Sequence, residues 1–417
     1  MGRPLEGVRV LDLTWAQQGP YATVMLSDMG AEVIKVEGHK RSDLMRRSIV
    51  WPLAEPASMK IPPNQGTGFL SANMNKKGIT LDISKPEGKA IARRLVECSD
   101  VAMDNMRPGA MKKLGLGYED LRQIRSDIIV LSTSRGGNNG PESNYLGFAP
   151  IHYGYGGGAY LTGYPDDHPS QSSPGDVDLM NALGGAYALI AAIYHRFQTG
   201  EGQYIDYSQC EGVSSIYGEA LLGYEMTSQI PERMGNAHPT DAPHSVYKCW
   251  GVDRWLALEI HSDAEFERLC RVIGKPEMAT DRRFSDMPSR KKNEKALDDT
   301  IEAWTGLRDR DWMVKELADA GLMAAPSRDW KDLYADPHLK ARQAFVPVAH
   351  PEMGTIDIAR VPWLISDCPT PTQCAPMLGQ HNEDVFKELL GLGDDEIADL
   401  EEKDIIANNW PSDRYLF

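Results

Sequence analysis

The sequence is short of cysteine, of positive charge and of long apolar runs. Six cysteines stand among 417 residues: Cys98, Cys210, Cys249, Cys270, Cys368 and Cys374. No two form a Cys-x-x-Cys pair and no histidine stands at zinc-ligand spacing from two of them, so no structural metal is expected. Lysine and arginine total 44 against 60 acidic residues, a formal net charge of −16. That balance argues against coating of nucleic acid or attachment to an anionic membrane surface. The longest mostly apolar stretch, Leu179 to Tyr194, has 16 residues, fewer than the roughly 20 a membrane-spanning helix needs. The opening Met-Gly-Arg-Pro-Leu-Glu carries no apolar signal core, and a reducing cytoplasm is the expected setting.

Several catalytic signatures are also missing. The turn after the first strand-like segment, Thr14-Trp-Ala-Gln-Gln-Gly-Pro20, lacks the Gly-x-Gly-x-x-Gly that brings a dinucleotide pyrophosphate to a helix start. An NAD oxidoreductase is disfavoured for that reason, although Glu37 at the end of the second strand suits a ribose. There is no Gly-Lys-Ser/Thr of a P-loop and no Gly-x-Ser-x-Gly elbow of a serine hydrolase.

What is present is a globular composition, with 41% hydrophobic and 25% charged residues, in a chain long enough for about two domains. The charge is segregated. Residues 1 to 125 hold 19 Lys and Arg against 14 Asp and Glu, a local balance of +5, which leaves −21 on the remaining 292. A multiply charged ligand such as a nucleotide is therefore best accommodated in the N-terminal part, because near charges outweigh distant, screened ones.

Val8 to Leu13 and Ala31 to Val36 read as strands around a helix, a βαβ unit. Ile79 to Ile83 reads as a strand leading into a Ser84-x-x-Glu87 capping box, and Val101 to Met103 and Asp127 to Ser132 as further strands. This alternation predicts an α/β fold with a parallel, doubly wound sheet. Arg135 to Pro174 is rich in Gly, Pro, Asn, Ser and Tyr, and a loop of that length inside an enzyme is more often functional than idle. It runs into a small-residue helix with Asp178 near its start. A carboxylate there has two readings: a nucleophile that forms a mixed anhydride with an activated acyl group, or an acid favoured by the helix dipole.

Several motifs then decide the matter. Leu5-Glu-Gly-Val-Arg-Val-Leu-Asp-Leu-Thr14, Met29-Gly-Ala-Glu-Val-Ile-Lys-Val-Glu37, Asn75-Lys-Lys-Gly-Ile-Thr-Leu-Asp-Ile83, Asn105-Met-Arg-Pro-Gly109, Thr199-Gly-Glu-Gly-Gln203 and Leu378-Gly-Gln-His381 resemble the class III CoA-transferases, the family of formyl-CoA transferase and carnitine CoA-transferase. The resemblance runs through nearly the whole chain in order.

It implies an enzyme that moves coenzyme A between carboxylic acids through an aspartyl anhydride and an aspartyl-CoA thioester, with CoA thioesters as substrates and no permanently bound cofactor. The nucleophile falls on Asp178, with Asp176 two residues away as the alternative. A helix start is expected to keep it ionised. Gln17 matches a glutamine that lies beside the thioester. The CoA contacts carried over are Gln17, Gln18, Leu81, Asp82, Ile83, Ser84, Asn105, Met106, Arg107 and Lys113, with Lys40 or Arg41 standing in for a phosphate-binding arginine. Acyl-CoA racemases of the same superfamily carry Gly-His-Asp where this chain has Gly147-Phe148-Ala149, and oxalate-using relatives carry Tyr and Glu near Ala149 and Pro150. Both activities are therefore disfavoured. Phe148, Tyr153 and Tyr155 either line a more apolar acid pocket or pack as aromatic core, and succinyl-CoA is the expected donor with an aromatic or dicarboxylic acid as acceptor. The family architecture implies an interlocked ring dimer: a Rossmann-like large domain from residues 1–224 and 326–417, and an inserted smaller α+β domain at 225–325. A related second subunit, or a non-catalytic subunit of the same fold, is the alternative. Acyl-CoA and acid are the expected partners, without nucleic acid or membrane.

Overall fold

The computed structural model describes residues 2–47, 62–171, 173–368 and 372–408. Two compact units divide the chain. The first takes residues 1–158, 171–222 and 341–417. Its centre is a six-stranded, all-parallel sheet in the order β3-β2-β1-β4-β5-β6. The strands are β1 (Arg9–Asp12), β2 (Glu32–Glu37), β3 (Lys77–Thr80), β4 (Val101–Asp104), β5 (Ile129–Ser134) and β6 (Tyr204–Ser208).

The inner strands are apolar on both faces, as parallel strands covered by helices on both sides must be. Leu11, Ile34, Ala102 and Val130 enter one core with Ile91 and Leu95 of the Pro86–Glu97 helix and with Phe386 and Ile405. Their neighbours Val10, Val33, Val101 and Leu131 enter the other, with Leu26 of the Gln18–Asp28 helix and Ala182, Ala186 and Leu189 of the Pro174–Thr199 helix. Successive residues facing opposite cores is the period of two that a pleated strand imposes.

Two local expectations change. The third strand stops at Thr80, so Leu81 to Ile83 are loop rather than strand. No Ser84 capping box forms: Asp82 Oδ1 accepts from both the Ser84 amide at 3.0 Å and its hydroxyl at 2.5 Å, and the helix begins at Pro86 with Lys85 as its cap. An Asx turn has won the serine from the helix end.

The helix expected around Leu179 to Tyr194 runs from Pro174 to Thr199, 26 residues, and ends where Gly200 adopts the left-handed conformation, φ 76°. By length and composition alone it is able to cross a bilayer. One side of it is nevertheless core, and Gly185 faces Ala22 of the first helix. The other side carries Leu179, Leu183, Tyr187 and Tyr194, all exposed and spaced as one helical stripe. An antiparallel hairpin of β7 (Phe345–His350) and β8 (Gly354–Ala359) completes the unit.

The second unit comprises Ala159–Ser170 and Gly223–Lys340. A three-stranded antiparallel sheet, with strands His244–Lys248, Trp255–Glu259 and Met323–Pro326, packs with the Asp263–Val272, Glu294–Thr305 and Arg310–Asp319 helices around Phe266, Leu269, Ile301, Trp304 and Leu317. The composition boundaries at 225 and 325 differ from these limits: the unit extends to Lys340 and recruits part of the glycine-rich stretch.

Candidate functional site

The site lies at the C-terminal edge of the sheet, where an open parallel sheet in this strand order leaves a crevice between strands whose connections run opposite ways. A cavity of about 450 Å³ is built there from the residues that follow four adjacent strands: Leu13 to Trp15 after β1, Glu37 to Arg41 at the end of β2, Leu81 to Ser84 after β3, and Met106 after β4. Its size suits part of a small-molecule ligand. Leu81, Asp82, Ile83, Ser84 and Met106 thus line one cavity wall. Arg107 and Lys113 are exposed, on the segment that contributes Met106 and Leu114 to the wall.

The charges around this cavity are mostly spoken for. Glu37 is buried and forked by the Arg46 guanidinium, at 2.6 Å between Oε2 and Nη2, so it is a structural anion rather than a ribose ligand. Burial raises its pKa, but Arg46 overcomes that and holds it below the usual carboxylate range. Lys40 pairs with Asp404, as does His39 at 2.7 Å, through a C-terminal turn 365 residues distant from His39. Arg41 has no carboxylate partner among the described residues and lies over the Trp15 ring, 4.9 Å from its centroid. Of the two basic candidates, Arg41 is the one available to an anion.

Gln17 stands immediately before the first helix, and its carbonyl accepts from the Tyr21 amide at 2.9 Å. Gln18 is buried and its side-chain amide donates to the Asn181 carbonyl at 3.3 Å, tying the first helix to the long one. Gln18 Oε1 has no hydrogen-bond partner among the described residues. The side-chain amide of Asn105 is likewise engaged within the chain. Its Oδ1 accepts from the Trp15 amide at 3.0 Å and its Nδ2 donates to the Trp15 carbonyl at 2.7 Å.

Asp178 lies three residues before Asn181 on the long helix, on the turn that Gln18 contacts. Its negative charge raises the pKa of Tyr21, a secondary effect beside the tyrosine's own burial, so the carboxylate sits within electrostatic reach of a side chain one turn beyond Gln17. Asp178 is half-buried and has no hydrogen-bond or ion-pair partner among the described residues, and burial alone pushes its carboxyl from 3.8 up to about 7. The helix start therefore does not hold it at the ordinary carboxylate value. Asp178 is the fifth helical residue, beyond the first turn where the amides point at an anion, and desolvation decides its state. The first-turn acid is Asp176, which is exposed.

Among the described residues the three aromatic side chains expected to line an acid pocket do not come together. Phe148 is exposed at the start of the Ala149–Tyr155 helix, Tyr153 is buried with its hydroxyl 3.0 Å from that of Tyr217, and exposed Tyr155 lies beneath the Arg135 guanidinium, 4.5 Å away. The three side chains point to three surroundings. Tyr21 was not singled out from the sequence, although its position four residues after Gln17 puts it on the same helix face.

Residues 5–382 match the CoA-transferase family III. The chain belongs to that family. It is a CoA-transferase, and its substrates are CoA thioesters and carboxylic acids. This CoA-transferase is 34% identical over 414 residues to succinyl-CoA–D-citramalate CoA-transferase of Chloroflexus aurantiacus, covering 97% of this chain and 98% of that one. It is 32% identical over 409 residues to the beta subunit of succinyl-CoA–L-malate CoA-transferase of the same organism, again covering 97% and 98%. Among solved structures it resembles a CAIB/BAIF family protein from Brucella suis, with 31% identity and a TM-score of 0.83 over 93% of this chain and all of that one.

Proposed function

We propose that this CoA-transferase carries CoA from succinyl-CoA to a dicarboxylic acid through covalent intermediates on Asp178. The observation that carries the reading is the state of Asp178: a half-buried carboxylate with no compensating donor or cation among the described residues, packed beside the helix that Gln17 opens. A carboxylate raised to about 7 is a stronger base, and hence a better nucleophile, than an exposed one, and is still ionised in a useful fraction near neutrality.

The steps balance without a metal or an external base. Asp178 attacks the thioester carbon, the C–S bond breaks, and CoA thiolate leaves an acyl-aspartyl anhydride. The thiolate attacks the aspartyl carbonyl, succinate departs, and an aspartyl-CoA thioester remains. The acceptor carboxylate displaces the thiolate to form a second anhydride, and the thiolate then attacks its acyl carbon, releasing the new acyl-CoA and free Asp178. Gln17 stands beside the thioester and steadies the oxyanion of each tetrahedral state. The nucleotide end of CoA takes the cavity between Trp15, Arg41, Leu81 to Ser84 and Met106, in the locally basic part of the chain.

Succinyl-CoA as donor and a dicarboxylic acceptor are supported by two relatives named for succinyl-CoA with D-citramalate and with L-malate. Racemisation has no support, because Phe148 carries no group able to move a proton. The exposed stripe of Leu179, Leu183, Tyr187 and Tyr194 is an apolar surface of the kind that a second copy covers, and we read the working form as a homodimer. The test is a panel of mono- and dicarboxylic acids with succinyl-CoA or acetyl-CoA, products weighed by mass. Transfer from succinyl-CoA to the dicarboxylic members is expected; transfer confined to monocarboxylic acids overturns the substrate class.

A further inference from the structure

The turn Thr14 to Gln17 is the piece of backbone that carries Gln17 and puts Trp15 into the cavity wall. It is an unfavourable conformation left to itself: Ala16 has φ +65°, where a residue with a Cβ is seldom found. Such a conformation persists only where its surroundings over-determine it, and here nearly every polar group of three consecutive residues is held by a side chain. Asp12 Oδ1 accepts from the Thr14 amide at 2.9 Å and from its hydroxyl at 2.5 Å. Lys35 Nζ donates to the Thr14 carbonyl. Asn105 takes both the amide and the carbonyl of Trp15, and Asp43 Oδ1 accepts from the Ala16 amide at 3.0 Å.

The holders are themselves fixed. Lys35 and Asp43 are buried and paired at 3.2 Å, and buried Asp12 is paired with Lys76 at 3.0 Å. They arrive from separate strands: Asp12 from β1, Lys35 from β2, Asp43 from the loop beyond it, and Asn105 from the end of β4. A turn gripped from three directions cannot follow the thioester as it moves, and a fixed donor is what a developing oxyanion requires.

We propose that Asn105, with Asp43 and Lys35, is a positioning residue for CoA transfer, serving the reaction by clamping the Trp15–Ala16 backbone beneath Gln17 rather than by touching CoA. This rests on the reading of the chain as an Asp178-dependent transferase, and the test separates the two. Two measurements are made on Asn105→Ala and on Asn105→Asp, which keeps the acceptor for the Trp15 amide but loses the donor to its carbonyl.

The first is amide hydrogen exchange across residues 14–17 in the ligand-free protein. Exchange is expected to quicken by about tenfold or more in Asn105→Ala and by less in Asn105→Asp; unchanged exchange in both overturns the clamp whatever the substrate proves to be. The second compares succinyl-CoA with succinyl-pantetheine, which lacks the nucleotide. A misplaced turn should cost on the order of 10- to 100-fold in kcat/KM with both donors, while the Kd for free CoA moves less than about threefold. A loss confined to succinyl-CoA, matched by weaker binding of CoA, makes Asn105 a ligand contact and overturns the proposal. Wild-type protein that exchanges no acid at all sinks the functional reading instead, and leaves the exchange measurement to judge the clamp.

Discussion

Replacing Asp178 by asparagine should make the folded chain more stable at alkaline pH while abolishing transfer. Burial raises this carboxyl from 3.8 to about 7, with no donor or cation to offset it among the described residues. At about 1.4 kcal/mol per pH unit, the folded state disfavours the ionised form by about 4 kcal/mol relative to an exposed carboxylate. The sign follows from proton linkage. Between the two values the folded chain holds a proton that the unfolded chain has released, so this group's contribution to stability is complete below about pH 4, declines as pH rises, and is gone above about pH 7. The asparagine does not titrate. From about pH 5.5 to about pH 8.5 the wild type should therefore lose about 2 kcal/mol more than Asp178→Asn, measured by urea unfolding of both proteins across that range. In the same range kcat/KM for the acyl-CoA donor should rise to a plateau with a midpoint near 7, because the nucleophile is the carboxylate. Parallel stability profiles for the two proteins would refute the claim that Asp178 is uncompensated, and with it the reason for preferring it to Asp176.

Arg41→Ala removes the one cavity cation without a carboxylate partner among the described residues, and should weaken CoA binding roughly five- to tenfold at low ionic strength; calorimetric titration at two salt concentrations should show the difference shrinking as salt rises. Arg46→Ala leaves Glu37 buried and unpaired, which should cost about 3 to 5 kcal/mol, read as a lower urea midpoint with a smaller deficit once Glu37 is also made glutamine. Tyr187→Glu sets a charge in the exposed apolar stripe, at a position with 77% of its surface free, and light scattering should report a monomer where the wild type gives a dimer.

The sheet was the most legible part of the fold, because its strands are short, mostly apolar segments between turn residues, separated by helical stretches in the alternation that a parallel sheet requires. The cavity wall was legible in part: Leu81 to Ser84 and Met106 fall at strand ends, where a parallel sheet places its ligands. What was not legible is how side chains pair over long separations. Asn105 reads as a polar loop residue suited to a ligand, yet its amide is taken by Trp15, 90 residues away. Glu37 reads as a ribose partner until Arg46 is seen across it, and Lys40 as a phosphate contact until Asp404 is. The aromatic residues of the glycine-rich stretch failed for a related reason, since Tyr153 and Tyr155 lie two positions apart on a helix and so face about 200° apart. The state of Asp178 needed the fold as well, for only its depth on the long helix shows that desolvation prevails over the helix dipole.

The account stands on one aspartyl side chain becoming acylated and then thioesterified. Protein mixed with succinyl-CoA, quenched within a turnover and digested, should yield the peptide containing Asp178 carrying the added mass of the succinyl or CoA group, with hydroxylamine converting that residue to its hydroxamate. Product formation with no adduct on that peptide, or an adduct that maps to Asp176, contradicts it.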